Sequence, residues 1–272
     1  MKFKLLFYIL ALTVLNSCRN KETTSAETNS TTAPAAIENL AFKLNGTFPH
    51  DTVSFTEGFL VHNGQFIEST GSPSDKPQAK SQVGILNTKT GKLDPKIELD
   101  RAIYFGEGVV MLNDKLFQLT YKNQQGFIYD AKTFKKLGDF KYANLEGWGL
   151  TTDGKSIIMS DGTSALTYLD PSTQKPIKTI TVTRDGQPLN MINELEYIDG
   201  YIFANVWLTN YIVKIDPATG AIVANLDMNP IYAAEKADNP NAMEMNGIAY
   251  DKDTKKVYVT GKMWSKVYEI AF

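Results

Sequence analysis

Turn signals recur through this chain at a regular spacing, and that recurrence restricts its fold more than any other feature. Asn63-Gly64, Asn113-Asp114, Asp153-Gly154 and Asp199-Gly200 each sit between two short runs rich in β-branched and aromatic residues, the pattern of a β-hairpin. A less regular fifth copy lies near Asp251 to Thr254. Successive copies stand 40 to 54 residues apart, about the length of one four-stranded propeller blade. A second set agrees with the first: Asn87 to Lys92, Asp130 to Lys135, Asp170 to Lys175 and Asp216 to Ala221 are Asx-initiated turns, each following its hairpin. Helical periodicity is confined to Ile231 to Ala237, one or two turns in an inter-blade loop.

The expected class is therefore all-β, a five-bladed β-propeller over residues 38–272. The last repeat ends after its third strand, Lys266 to Ala271, and Leu40 to Leu44 at the other end is strand-like without a hairpin partner. Pairing the N-terminal strand with the C-terminal blade would close the ring and remove two exposed sheet edges.

Ahead of the domain, Lys2 and Lys4 precede an apolar run from Leu5 to Leu15, which reads as a signal peptide over 1–17. The run is too short for the roughly 20 residues of a membrane-spanning helix. Cys18, the only cysteine, follows Leu15-Asn16-Ser17 and resembles a bacterial lipoprotein box, so lipidation there and attachment to a membrane by lipid alone are expected. Residues 18–37, rich in Thr, Ser and Ala, bury too little apolar surface to fold and read as a tether. Together these place the domain outside the cytoplasm, on the periplasmic face or cell surface. A net charge of −2 gives no electrostatic footprint for nucleic acid. His50 and His62 are the only histidines and have no clustered acidic partner in sequence, which argues against a His-based zinc centre.

In a propeller the first strand of each blade lines the central channel, and here that strand precedes each hairpin turn. Those strands read Phe55-Thr56-Glu57-Gly58, Phe105-Gly106-Glu107-Gly108, Leu145-Glu146-Gly147-Trp148, Ile192-Asn193-Glu194-Leu195-Glu196 and Met245-Asn246-Gly247. Each sends Glu or Asn toward the axis, and carboxylates in half-buried strands cost stability, which points to a functional ring. Crowding also raises their pKa values, so that one of them can stay protonated near neutrality. Trp148 and Trp207 are flat walls suited to an alkyl stem and its cationic amine. Trp264 reads equally as packing or pocket.

The segments FTEG (55–58), FGEG (105–108), QLTY (118–121), EGWGLT (146–151), SDGT (160–163), NELE (193–196), ANVW (204–207), NGIAYD (246–251) and TGKMW (260–264) together resemble the glutamine cyclotransferase family, in order over about residues 40–272. The resemblance implies conversion of an N-terminal glutamine of a peptide or protein to pyroglutamate with loss of ammonia, without zinc and with no cofactor required. It implies Glu107 as acid/base, with Lys262 and Asn193 in the reaction. Phe55, Glu57, Phe105, Tyr121, Glu146, Trp148, Glu194, Trp207 and Asn246 are the expected substrate contacts, Glu57 holding the substrate ammonium. Family members usually carry Trp where Tyr121 stands, and residues 72–81 form a longer, Pro/Lys-rich segment than theirs, so access to the pocket differs. A monomer is expected, and a structural calcium in the channel is compatible with the pattern. Two other readings share the architecture: a metal-dependent lactonase, for which six blades are usual, and a noncatalytic binding propeller, which would need apolar loops where these are mostly polar.

Overall fold

In the computed structural model, residues 36–272 are described; the expected signal peptide, Cys18 and nearly all of the expected tether lie outside them. Two short strands come first, β1 (Glu38–Leu40) and β2 (Lys43–Pro49). Blade one follows as β3 (Thr56–His62), β4 (Gln65–Thr70), β5 (Gln82–Leu86) and β6 (Leu93–Glu98). Blade two is β7 (Gly106–Leu112), β8 (Lys115–Thr120), β9 (Gln125–Asp130) and β10 (Lys136–Lys141). Blade three is β11 (Leu150–Thr152), β12 (Ile157–Ser160), β13 (Ala165–Leu169) and β14 (Pro176–Thr181), followed by a small hairpin of β15 (Thr183–Arg184) and β16 (Gln187–Pro188). Blade four is β17 (Ile192–Ile198), β18 (Tyr201–Val206), β19 (Tyr211–Ile215) and β20 (Ile222–Asp227). After helix α1 (Asn229–Asp238), blade five is β21 (Met245–Asp251), β22 (Lys256–Gly261) and β23 (Lys266–Ala271).

Each blade is an antiparallel meander, and the five first strands face one another in a ring from β3 through β7, β11, β17 and β21 back to β3. All nine turns expected from the sequence join the strands they should. In six of them the leading asparagine or aspartate caps the turn itself, as where Asp130 Oδ1 accepts from the amides of Lys132 (3.2 Å) and Thr133 (2.7 Å). The ring closes where β2 pairs antiparallel with β23, from Lys43 opposite Ala271 to Pro49 opposite Lys266. The closing strand thus starts later than Leu40. Leu40 belongs instead to β1, which adds a parallel strand to the outer edge of blade four through Glu38 opposite Ala224.

Apolar residues fill the wedges between neighbouring blades, for example Leu166, Ile192, Leu195 and Val213 between blades three and four. Near the axis the inner strands approach backbone to backbone. A Cβ on Gly58 would lie 2.7 Å from the Val109 amide nitrogen, and one on Gly108 would lie 2.5 Å from the Trp148 carbonyl oxygen. The glycines after Glu57 and Glu107 are therefore a packing requirement of the ring. Blade three departs from the expected register. Glu146 to Trp148 precede β11, which begins only at Leu150, so Glu146 is not an inner-strand residue.

Candidate active site

One mouth of the channel holds a pocket of about 220 Å3 lined by Phe55, Glu57, Pro73, Phe105, Glu107, Tyr121, Trp148, Asn193, Trp207 and Lys262. Apart from Pro73, which comes from the 72–81 loop, the lining residues lie at or beside two kinds of position, the start of an inner strand and the end of the strand next to it. These are the ends that share one face of a meander, which is why residues spread over some 200 positions meet there. Nine of the expected site residues line this pocket; Glu146, Glu194 and Asn246 do not.

Lys262 is the electrostatic centre. Its Nζ lies 2.8 Å from Glu57 Oε1, with both side chains buried, and 4.5 Å from the centre of the Phe55 ring. Burial alone would lower its pKa, but Glu57 and Glu107 outweigh that and raise it, so the ammonium persists. Burial pushes Glu57 up to about 7 against the pull of Lys262. Glu107 is raised well above the carboxylate range, first by burial and then by the charge of Glu57, with Lys262 opposing. These two carboxyls and one ammonium titrate together, so the upward shift belongs to the group as a whole. Trp148 and Trp207 stand edge to face, 5.4 Å between centroids, and Phe55 and Phe105 do the same at 6.1 Å. Asn193 lines the pocket, and its Oδ1 is buried without a hydrogen-bond partner, an acceptor left unspent by the fold.

The three residues outside the pocket support it from behind. Asn246 donates through Nδ2 to Glu57 Oε2 and to the Thr56 carbonyl, both at 3.1 Å. Glu194 points the other way along the axis, accepting from the amides of Phe59 (3.1 Å) and Ile248 (2.8 Å), and so ties three inner strands together. Glu146 sits at the rim, where its Oε2 accepts from Trp148 Nε1 at 2.9 Å and its Oε1 lies 3.6 Å from Lys122. Trp264 is fully buried and donates Nε1 to the Met243 carbonyl, so it packs the fold.

His50, without an acidic partner in sequence, has one in space. Its Nε2 lies 3.1 Å from Glu68 Oε1, and its Nδ1 is 2.9 Å from the Trp264 carbonyl. Thr56 also donates to Glu68 Oε1, at 2.7 Å. This buried pair joins the loop carrying Lys262 to the strand carrying Glu57. Pro73, from the 72–81 segment, is the one pocket-lining residue sequence reasoning missed, because an aperiodic loop leaves no signal of where it folds back. Among the described residues, no three or more His, Cys, Asp or Glu side chains converge in a group able to hold a metal ion.

Fold and pocket together define a class: a five-bladed β-propeller with a small aromatic pocket at one mouth of its channel, floored by two coupled carboxyls and one ammonium. Comparison with known proteins then narrows the class to one family. The glutamine cyclotransferase family model matches residues 10–272, and the chain belongs to that family. It is 37% identical over 225 residues to the glutaminyl-peptide cyclotransferase of Arabidopsis thaliana, an alignment covering 82% of this chain and 68% of the relative. It also superimposes on the crystal structure of glutaminyl cyclase from Myxococcus xanthus with a TM-score of 0.79 at 29% identity, covering 87% of this chain and 98% of that one.

Proposed function

We propose that this protein is a glutaminyl-peptide cyclotransferase in which Glu107 carries the proton that the reaction must move. The α-amine of an N-terminal glutamine attacks the side-chain amide carbon, a C–N bond forms to give the five-membered lactam, and the bond to the amide nitrogen breaks to release ammonia. The amine is a competent nucleophile once neutral, and with a pKa of about 7.7 to 8.0 it loses its proton readily. The amide nitrogen leaves only after gaining one, so the reaction turns on a group that takes the first proton and delivers the second. The carboxyl of Glu107 faces the pocket with no hydrogen bond from the described residues to hold it, and this single observation carries the assignment.

The other residues have complementary tasks. Glu57 neutralises Lys262 and keeps lone pairs for the incoming amine, since a carboxylate has about four acceptor sites. Lys262 spends one N–H on Glu57 and has two left for the amide oxygen as negative charge builds there. The unpartnered Asn193 Oδ1 accepts from the primary amide of glutamine and would face another acceptor in glutamate, which discriminates against that side chain. Trp148 and Trp207 enclose the two methylenes. The pocket is smaller than the roughly 300 Å3 at which drug-sized sites begin, which suits one residue.

The reaction needs a nucleophile that the substrate supplies and a proton carrier that the protein supplies, so the proposal is of a metal-independent enzyme. It extends to a monomer held outside the cytoplasm by lipid on Cys18. Chelator-resistant turnover, a one-chain mass in solution and fatty-acid labelling lost in Cys18→Ala are the respective checks. The activity itself is tested by mass spectrometry of a Gln-initiated peptide, which should lose about 17 Da, the mass of ammonia, far faster than its spontaneous background. A peptide left at its starting mass by the folded protein would refute the assignment.

A further inference from the structure

The two faces of the ring differ in a way that the chemistry of one glutamine does not require. Five exposed apolar side chains surround the pocket mouth: Val53, Ile103, Leu145 and Met191, each in the segment leading to an inner strand, and Leu208, directly after Trp207. Ile103 is 57% exposed, Leu208 62% and Leu145 81%. Among the described residues, the exposed large apolar side chains toward the opposite face, Leu44, Leu137, Ile177, Val223 and Phe272, lie on outer strands or at the last residue, not on loops around the channel. Met191 and Leu208 add a second cost, since both hold left-handed backbone, at φ 68° and 64°, where bulky residues are rare. They are coupled to the pocket wall, because the amide of Trp207 donates to the Met191 carbonyl at 2.8 Å. Solubility and stability ask for neither exposure nor strain, and such outliers gather where a ligand is held.

A cleft of about 300 Å3 adjoins the pocket on the Ile103 side of this crown, sharing Phe105 and Tyr121 with it and bounded further out by Ile103 and Tyr104 and by the polar Ser72, Arg101, Lys122 and Asn123. Its wall is fixed. Arg101 donates to the carbonyls of Pro73 (3.1 Å), Pro77 (3.0 Å) and Ala79 (3.4 Å), pinning the 72–81 segment, and Asn123 donates to the Ile103 carbonyl at 3.0 Å. Gly71 lets the segment begin against the Phe105 ring, where a Cβ would lie 2.2 Å from the ring carbons.

We infer that crown and cleft form a second binding site, which takes the two or three residues after the N-terminal glutamine and favours bulky apolar side chains there. The inference rests on the proposed function and adds the class of substrate. Continuity of cleft and pocket through Phe105 and Tyr121 places the chain leaving the pocket on this surface. A lipid surface is the other candidate for an apolar rim, but a cleft continuous with the pocket is what a peptide chain requires and a flat membrane does not.

The test compares glutaminamide, Gln-Gly-Gly-amide and Gln-Leu-Phe-amide in the parent protein and in Ile103→Asp with Leu145→Asp, both exposed positions. The parent should show kcat/KM about tenfold higher for Gln-Leu-Phe-amide than for Gln-Gly-Gly-amide, the discrimination typical of an apolar subsite, and the variant should bring the ratio near one. Equal ratios in parent and variant would overturn the inference. So would loss of binding to phosphatidylcholine vesicles in the variant with the peptide ratio intact, which would assign the crown to a membrane. Glutaminamide has no second residue and reports the first pocket alone. Its failure to turn over in the parent would count against the proposed function itself, and this inference would fall with it.

Discussion

Glu107 owes its raised pKa to its setting, because burial and the neighbouring Glu57 both act against its charge while only Lys262 supports it. Replacing it by Gln keeps the shape and removes the proton carrier, so kcat should fall by about 10²- to 10⁴-fold with the thermal midpoint nearly unchanged; full turnover by a folded Glu107→Gln protein would reject the role. This residue was legible because the axial Glu of a Phe-Gly-Glu-Gly segment begins an inner strand. Glu194 begins one as well, yet it turns from the pocket to bind the amides of Phe59 and Ile248, since strand neighbours point to opposite sides. Residue type and motif could not separate those two, whereas the side of the strand does. Glu146 was misplaced because the Gly-Trp-Gly that follows it delays β11 to Leu150.

At the level of elements, the turn residues fixed nine connections without help from tertiary context, because six cap their own backbone and Asn63, Asn113 and Asp199 adopt the left-handed conformation that a tight hairpin needs. The closing strand was placed only roughly, as both Leu40 and Leu44 fit an edge and the choice depends on which blade lies alongside. The His50–Glu68 pair was invisible, since its partners lie on different strands and meet only through the fold. It joins β4 and the loop after β22, and removing one partner leaves a buried charge, so His50→Ala should cost roughly 3–5 kcal/mol of unfolding free energy by denaturant titration. Burial disfavours the imidazolium, but Glu68 outweighs it and raises the His50 pKa above 6.5. Its contribution is thus fully present below about pH 6.5 and disappears as pH rises through the folded value. A His50→Ala penalty that stays constant from pH 5 to pH 9 would exclude an ionic pair.

For the whole molecule, the channel separates a reactive mouth from a polar one, where Glu196 accepts from the Tyr250 amide at 2.9 Å. Burial pushes Glu196 up to about 8 from an ordinary 4.5. Ionising it therefore costs nothing below pH 4.5 and progressively more up to about pH 8, beyond which the penalty is complete. Glu196→Gln should raise the thermal midpoint at pH 9 and leave it close to the parent's at pH 4; an unchanged midpoint at pH 9 would contradict this. The architecture could be read by counting because a ring repeats one unit, while the apolar crown could not, since its five members lie on five separate loops. The pairing of Lys43 with Ala271 also bears on how the protein is made. A ribosome delivers the first of these partners long before the second, so the opening strand must wait unmatched until the final residues emerge. Contacts between such distant stretches of chain form slowly, and until then the unlatched rim of the last blade is open to proteases and to other nascent chains.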